Sequence, residues 1–256
     1  MLSIAGSDNT CGAGIQADVK TCQALKAYCL TCITTITSQN SKRVFKIYEL
    51  PKTYIKSQIN SIMMDYEIDC IKIGLIGSVS QAKTIYQILR MFDSKVPIVV
   101  DPIFKSSTNT KFNNSKNYLL IYKTIAKISP VFTPNLNEAK ILSEIKYNRK
   151  LSTEEIMKEL IQKFKAKVVI TDGGQRLNQC EDFFVDKGPV EKFVSNKILS
   201  KNTHGSGCTF SAALAVNLAK GFSLKKSVKL SKDLTRKFIL NAPKFNLKYG
   251  PVGHWL

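Results

Sequence analysis

The 256-residue sequence predicts an α/β protein in which helices cover both faces of a mostly parallel sheet, a three-layer α/β/α sandwich. Two observations predict this fold class. Short runs rich in β-branched residues alternate with longer amphipathic runs along nearly the whole chain. Polar or glycine-containing clusters follow most of the short runs, as expected where ligands gather at the carboxyl ends of parallel strands. No linker or internal repeat interrupts the alternation, so we expect a single domain over residues 1–256.

The predicted strands are short apolar runs, most of which end at a glycine, a carboxylate or a proline. They cover residues 2–6, 30–37, 70–74, 97–101, 131–133 and 168–171. Two further runs, 183–185 and 191–194, are separated by the turn sequence Asp186-Lys187-Gly188-Pro189 and predict a β-hairpin. The segment 104–115 is polar and unpatterned, which indicates a loop.

The predicted helices are the amphipathic runs between these strands. They cover residues 14–25, 54–66, 80–91, 118–128, 135–143, 152–164 and 224–240. Ser152 and Glu155 have the spacing of a capping box at the start of one of them. One more helix is predicted from the Ala-rich apolar run 210–219, which follows the turn Gly205-Ser206-Gly207-Cys208.

The composition argues against nucleic-acid and membrane partners. The formal net charge is +19, but lysines supply nearly all of the excess and are spread along the chain. Arginine is the usual residue for base readout, so we expect no nucleic-acid partner and assign the positive field to attraction of polyphosphate substrates. No apolar run approaches the roughly 18–20 residues of a membrane span and no signal peptide is evident, which favours a cytoplasmic protein.

The seven cysteines are predicted to be free thiols. Cys29 and Cys32 form a C-x-x-C pair, but they lie at the start of a predicted strand. No second pair of cysteine or histidine ligands completes a zinc set.

The turn Gly205-Ser206-Gly207-Cys208 is predicted to bind an anion. Two glycines let successive N–H groups converge, and the helix that follows adds its unpaired first-turn donors and the positive end of its dipole. The chain has no G-x-x-x-x-G-K-[ST] motif, and its early Cys11-Gly12-Ala13-Gly14 segment lacks the G-x-G-x-x-G spacing. Phosphate binding is therefore assigned to the late turn, where Cys208 could act as nucleophile, general base or packing residue.

Seven segments together resemble the signature of one enzyme family. They are Ile4-Ala-Gly-Ser-Asp8, Gly12-Ala-Gly-Ile-Gln-Ala-Asp18, Thr37-Ser-Gln39-Asn40, Lys72-Ile-Gly74, Asp101-Pro102, Thr133-Pro-Asn135-Leu-Asn-Glu138 and Thr203-His-Gly-Ser-Gly-Cys208. The sequence resembles the hydroxymethylpyrimidine/phosphomethylpyrimidine kinases of thiamine biosynthesis, within the ribokinase-like superfamily. The resemblance runs in order over almost the whole chain and ends at Gly250-Pro251-Val252-Gly253-His254.

The resemblance implies phosphorylation of a pyrimidine alcohol and then of its monophosphate, with ATP and Mg²⁺ as cofactors and a homodimeric assembly. It makes Cys208 the general base, with a thiol pKa that the helix start is expected to lower, and makes Gly205, Ser206 and Gly207 the anion hole. The implied substrate-binding residues are Gln39, Asp18, Gly6 and Leu75. The implied ATP-binding residues are Asn135, Asp172, Gly173 and Thr203. The implied metal residues are Glu138 and Asp101, and a role in shaping the turn is expected for His204.

Three departures from the family pattern keep two alternatives open. Asp172 stands where the family usually carries a lysine near the nucleotide phosphates, the loop 103–109 is rewritten, and Cys11 replaces a glycine. A pyridoxal-type kinase shares the expected fold and a similar turn. A non-catalytic binder of nucleotide or pyrimidine is the alternative that Asp172 and the altered loop favour.

Overall fold

The structure, a computed structural model, describes residues 1–93, 95–106, 108, 110–144, 151–172 and 178–255. The strands are β1 (Leu2–Asp8), β2 (Leu30–Gln39), β3 (Val44–Glu49), β4 (Ile71–Ile73), β5 (Ile98–Val100), β6 (Val131–Phe132), β7 (Lys167–Ile170), β8 (Gln179–Phe184) and β9 (Glu191–Asn196). The helices are α1 (Gly14–Ala24), α2 (Lys52–Asp65), α3 (Val79–Leu89), α4 (Ser115–Ile125), α5 (Leu136–Ser143), α6 (Thr153–Phe164), α7 (Ser206–Ala219) and α8 (Leu224–Leu240).

The described strands form one nine-stranded sheet in the order β3-β2-β1-β4-β5-β6-β7-β8-β9. The strands from β2 to β7 in this order pair in parallel, while β3, β8 and β9 pair antiparallel at the two edges. The predicted parallel sheet and the predicted hairpin are therefore confirmed. Strand β2 lies on one side of β1 and strand β4 lies on the other, so the strand order reverses its direction at β1. Such a reversal opens a crevice at the carboxyl end of the strand.

Alternating strand residues supply two separate cores. Val100 and Phe132 belong to a cluster with side chains from α2 to α6, whereas Val99 and Val131 belong to a cluster with side chains from α1, α7 and α8. Both faces of the sheet are thus covered by helices, as expected for a parallel sheet. This arrangement confirms the predicted three-layer fold. In the described part of the chain, no helix has the length and apolar character needed to cross a membrane.

Strand β3 was not predicted from the sequence. It pairs with β2 at the edge of the sheet, and most of its side chains are exposed. A strand without a buried face lacks the alternation of apolar and polar residues that identifies strands in a sequence. Among the described strands, β3 forms one edge of the sheet.

Candidate active site

The anion turn forms where the loop after β9 enters α7. Gly205 is the N-cap residue and has a left-handed conformation with φ of 85°. A Cβ at this position would overlap the carbonyl oxygen of Gly12, so only glycine fits both the conformation and the space. The N–H of Ser206 already donates to the carbonyl of Thr203 at 3.1 Å. The N–H groups of Gly207 and Cys208 have no acceptor four residues earlier in the helix and are the donors available to an anion.

One cavity of about 2030 Å³ lies at the carboxyl ends of the strands and collects most of the predicted site residues. Its wall includes Gly6, Gln39, Leu75, Asp101, Asn135, Glu138, Asp172, Thr203, Gly205, Ser206, Gly207 and Cys208. The structure does not bring Asp18 to this wall. Gly173 lies outside the described residues, so its predicted ATP contact stays a prediction.

Cys208 occupies the first turn of α7 and is 5% exposed. Burial raises the pKa of its thiol to about 12, and the positive charge of Lys72 opposes this shift, as does a hydrogen bond from the N–H of Gly14. The expectation of a lowered thiol pKa is therefore wrong for this structure, because burial outweighs the helix start. The thiol is protonated near neutral pH.

Asp18 is buried away from the cavity rather than exposed to a substrate. Its carboxylate accepts a hydrogen bond of 2.6 Å from the hydroxyl of Ser3 and two of 2.9 Å from the ammonium of Lys72. Both charged side chains have 0% exposure. The predicted direct contact between Asp18 and the pyrimidine is incorrect for this structure, since every part of the carboxylate is covered.

Lys72 belongs to the motif segment Lys72-Ile-Gly74, and no role for its side chain was predicted from the sequence. Burial lowers its pKa, but the charges of Asp18, Cys208 and Asp101 outweigh burial and raise the pKa above its usual value. The ammonium of Lys72 therefore stays protonated and places a positive charge near the thiol of Cys208. A lysine in the otherwise apolar predicted strand 70–74 was the available signal, because a buried cation requires an anionic partner.

Asp101 follows β5 and lies beneath the first turn of α7. Its Oδ2 accepts a hydrogen bond of 3.3 Å from the hydroxyl of Ser211, and a Cβ on Gly207 would lie 3.7 Å from the same oxygen. Burial raises the pKa of Asp101, while the charge of Lys72 lowers it. Asp101 is thus a buried carboxyl group that lies on the cavity wall close to Cys208.

Asn135 and Glu138 form a capping box at the start of α5. The Asn135 side chain accepts from the N–H of Glu138 at 3.0 Å, and Oε2 of Glu138 accepts from the N–H of Asn135 at 3.0 Å. The other carboxylate oxygen accepts from the N–H of Phe104 at 3.3 Å. Glu138 therefore ties α5 to the start of the rewritten loop, of which Ser107 and Asn109 lie outside the described residues.

The electrostatics of Glu138 and Asp101 suit a divalent cation. Burial raises the pKa of Glu138 to about 8, and the negative charge of Asp101 raises it as well. A cation near both carboxyl groups would relieve this repulsion, and oxygen donors are the ligands that Mg²⁺ prefers. No cluster of three or more His, Cys, Asp or Glu side chains that could hold a metal occurs within the described ranges.

The end of the cavity at β1 and β2 has the predicted substrate residues Gly6, Leu75 and Gln39. Leu75 packs next to Gly6, since its Cδ2 would be 3.1 Å from a Cβ on Gly6. Gln39 ends β2 and is half-buried, and its backbone N–H donates to Oδ1 of Asn9 at 2.8 Å. Its side-chain amide offers a donor and an acceptor on the cavity wall.

The opposite end of the cavity has Thr203 and Asp172. Asp172 follows β7, and its N–H donates to Oδ1 of Asp182 at 3.0 Å. Burial raises the pKa of Asp172, and the positive charge of Lys197 opposes the shift. The buried Lys232 lies 2.7 Å from Oδ2 of Asp182. The Asp172 carboxylate therefore experiences the positive charges of Lys197 and Lys232 together with the negative charge of Asp182.

Solved structures and curated sequences share this architecture. The ADP complex of the pyridoxal kinase of Bacillus subtilis has a TM-score of 0.85 and 30% identity, over 99% of this chain and 96% of that chain. The hydroxymethylpyrimidine/phosphomethylpyrimidine kinase of Haemophilus influenzae is 33% identical over 262 residues, covering 100% of this chain and 96% of the relative. The probable thiamine biosynthetic bifunctional enzyme of Oryza sativa subsp. japonica is 32% identical over 255 residues.

The match to the rice bifunctional enzyme covers 99% of this chain but only 46% of the rice enzyme, so the chain spans about half the length of that relative. Fold and site together define a ribokinase-like α/β protein with its ligand cavity at the carboxyl edge of the sheet. A sequence profile of phosphomethylpyrimidine kinase matches residues 8–253. The chain belongs to the phosphomethylpyrimidine kinase family, which confirms the resemblance seen in its motifs.

Proposed function

We propose that this chain, as a single domain, transfers the γ-phosphoryl group of ATP to 4-amino-5-hydroxymethyl-2-methylpyrimidine and then to the monophosphate, yielding the diphosphate used in thiamine biosynthesis. The observation that carries the proposal is the shared cavity. The glycine turn at the start of α7 with its thiol, Gly205–Cys208, and the strand-end residue Gln39 line the same cavity, and this supports the proposal. Family membership and the kinase names of the relatives support the reaction class.

The transferred phosphoryl group is assigned to the turn Gly205-Ser206-Gly207-Cys208. Phosphoryl transfer spreads negative charge over the equatorial oxygens, and fixed N–H donors stabilise that charge without reorganising. Thr203 and Asn135 contact the rest of the polyphosphate in this proposal, and Gly173 completes that set. Asp172 is tolerated beside the phosphates because Lys197 opposes its charge.

Cys208 is assigned as the general base. As the substrate oxygen forms its bond to the γ-phosphorus and the bond to ADP breaks, the hydroxyl proton passes to Sγ of Cys208. The accepting form is the thiolate, which is the minor form in this structure because burial raises the thiol pKa, although the charge of Lys72 and the N–H of Gly14 oppose that shift. A thiolate of high pKa is a strong base, which suits a weakly acidic alcohol.

Mg²⁺ is assigned to Glu138 and Asp101, completed by phosphate oxygens and water, where it would supply neutralisation of the polyphosphate charge. The two carboxyl groups hold positions on the cavity wall because Glu138 caps α5 and Asp101 accepts from Ser211.

Gln39 is assigned to the aminopyrimidine edge, where its amide pairs a donor with an acceptor. Gly6 and Leu75 line the same end of the cavity.

A homodimer joined through β3 is part of the proposal. Within the described ranges no strand pairs with the outer side of β3, and such edges are usually covered in native proteins. Ile36 and Tyr48 face each other across β2 and β3 and are 48% and 63% exposed. Phe45 adds a further exposed aromatic side chain on the same strand.

A coupled ADP-release assay tests the function. The acceptors are the hydroxymethylpyrimidine, its monophosphate and pyridoxal, with a reaction lacking any acceptor as the control. We expect turnover on both pyrimidines with kcat/KM above that for pyridoxal. Preference for pyridoxal would establish the pyridoxal-kinase alternative, which the similar pyridoxal kinase structure makes the natural rival. Binding without turnover on all three acceptors would establish the non-catalytic alternative.

A further inference from the structure

Asp8 organises the loop between β1 and α1 around one carboxylate. Its oxygens accept hydrogen bonds from the N–H groups of Thr10 at 2.8 Å, Gly12 at 3.1 Å and Ala13 at 2.9 Å. The hydroxyl of Thr10 also donates, at 2.8 Å. Asp8 is only 3% exposed, so the loop encloses the charge almost completely.

The same carboxylate also contacts His204, which is far away in the sequence and next to the Gly205–Cys208 turn. Nε2 of His204 lies 2.8 Å from Oδ2 of Asp8, and His204 directly precedes Gly205. Because a carboxylate only accepts hydrogen bonds, the ring N–H of His204 is the donor. Burial alone would raise the pKa of Asp8, but the hydrogen bond from His204 and those from Thr10 outweigh it and hold the pKa well below the usual range.

Close packing leaves the two segments little freedom around this bond. A Cβ on Gly12 would overlap the His204 ring, and a Cβ on Gly205 would overlap the Gly12 carbonyl oxygen. The backbone of His204 is held from behind as well, since its N–H donates to the carbonyl of Gly250 at 3.0 Å and its carbonyl accepts from Val252 at 3.2 Å. The start of α7 is therefore fixed between the β1–α1 loop and the C-terminal segment.

We infer that Asp8 is a positioning residue that acts through His204 to hold the Gly205–Cys208 turn in its anion-binding geometry. Residues 6–7, which precede Asp8, line the substrate end of the cavity, so one carboxylate joins the substrate end to the phosphate end. For turnover this inference rests on the proposed function. For anion binding it stands on the contacts of Asp8 and His204 alone.

The test compares Asp8→Asn, His204→Gln and the double variant with wild type, with Thr10→Val as the matched control. Thr10→Val removes the hydroxyl that lies within hydrogen-bond distance of both carboxylate oxygens of Asp8 and leaves the His204 contact in place. Two quantities are measured: kcat and KM for the pyrimidine alcohol, and the Kd of the non-hydrolysable nucleotide AMP-PNP without any acceptor. Thermal unfolding establishes that each variant is folded.

We expect Asp8→Asn and His204→Gln each to lower kcat and to raise the Kd of AMP-PNP by about 10- to 100-fold, because a displaced turn misplaces its N–H donors. KM for the pyrimidine should change little, and the double variant should be no worse than either single variant, since the two residues act as one unit. Thr10→Val should behave like wild type. A merely structural role would lower Tm without this split between kcat and KM.

Independent effects that multiply in the double variant would overturn the inference, as would wild-type kcat and AMP-PNP affinity in folded Asp8→Asn. If Asp8→Asn does not fold, His204→Gln decides alone, because it leaves the loop bonds of Asp8 intact. A wild-type protein that binds AMP-PNP but phosphorylates none of the acceptors would contradict the proposed function only. The Kd comparison would still decide the role of Asp8.

Discussion

The ammonium nitrogen of Lys72 lies 2.9 Å from both carboxylate oxygens of Asp18, and neither side chain has any exposed surface. The pair joins β4 to α1 and holds a positive charge where it acts on Cys208 and Asp101. A lysine buried without such a partner would be strongly unfavourable. The pair therefore serves both the stability of the fold and the electrostatics of the candidate base.

Lys72→Met should lower the free energy of unfolding by about 3–5 kcal/mol, because it leaves the buried Asp18 without its counter-charge. Burial already raises the pKa of Asp18 in the folded protein. A group with a raised folded pKa favours folding at pH below its unfolded pKa and loses that contribution as pH rises through the folded pKa. The deficit of the variant should therefore shrink as the pH is lowered, which denaturant titration at several pH values measures.

The matched control for this prediction is the double variant Asp18→Asn/Lys72→Met. It removes both charges, so its loss of stability should be clearly smaller than that of Lys72→Met alone. Equal stability of Lys72→Met and wild type near neutral pH would show that the ion pair contributes nothing.

Glu138→Gln should abolish most turnover while leaving Tm close to that of wild type. Glutamine keeps one acceptor oxygen for the N–H of Asn135 in the capping box of α5 and loses the acceptor for the N–H of Phe104. It also removes a carboxyl group whose pKa burial raises to about 8, and this gain opposes the loss of the Phe104 hydrogen bond. Turnover measured against Mg²⁺ concentration, together with thermal unfolding, checks the prediction. Full activity with an unchanged Mg²⁺ requirement would remove Glu138 from the metal site.

Gln39→Ala should chiefly raise KM for the pyrimidine and leave KM for ATP close to wild type. Gln39 is the last residue of β2 and lines the cavity. Its side-chain amide is assigned to the ring edge of the pyrimidine, whereas the Gly205 turn is assigned to the phosphates. Loss of a hydrogen-bonding partner for a buried polar edge costs about 1–3 kcal/mol. Steady-state kinetics with each substrate varied in turn decide this, and a change confined to the ATP constant would refute the assignment.

Tyr48→Lys should shift a dimer towards monomer, because a lysine on an edge strand disfavours edge-to-edge association. Tyr54→Lys is the matched control, since Tyr54 is equally exposed at 63% but lies on α2 instead of the edge strand. Light scattering coupled to size-exclusion chromatography gives the mass of each variant. A wild-type monomer at micromolar concentration, or the same mass for all three proteins, would argue against the β3 interface.

Much of the fold could be predicted because its signals are local. The alternation of β-branched and amphipathic runs identifies most strands and helices, and the Ser152 capping box forms as its spacing predicts. The partner of Asp18 could not be predicted in this way. Its contact with Lys72 spans 54 residues and depends on β1 pairing with β4, a sheet order that no local pattern encodes.

The candidate site shows the same division. The glycine turn and the strand-end position of Gln39 are visible in the sequence, while the role of Glu138 was indicated by its resemblance to the family motif. The pKa of Cys208 is not visible in the sequence, because it depends on burial, on Lys72 and on Asp101, which come from different elements. Asp8 and His204 are 196 residues apart, so their contact appears only in the folded chain.

Phosphorus-31 NMR of the products made by wild type and Cys208→Ser tests the central claim most directly. With ATP, Mg²⁺ and the hydroxymethylpyrimidine, wild type should produce the pyrimidine monophosphate and then the diphosphate. The serine variant should lose about 100-fold or more in rate, the usual contribution of a positioned base, while its pyrimidine affinity stays within a few-fold of wild type. Wild-type rates of both products from Cys208→Ser would contradict the assignment of the thiolate as the base.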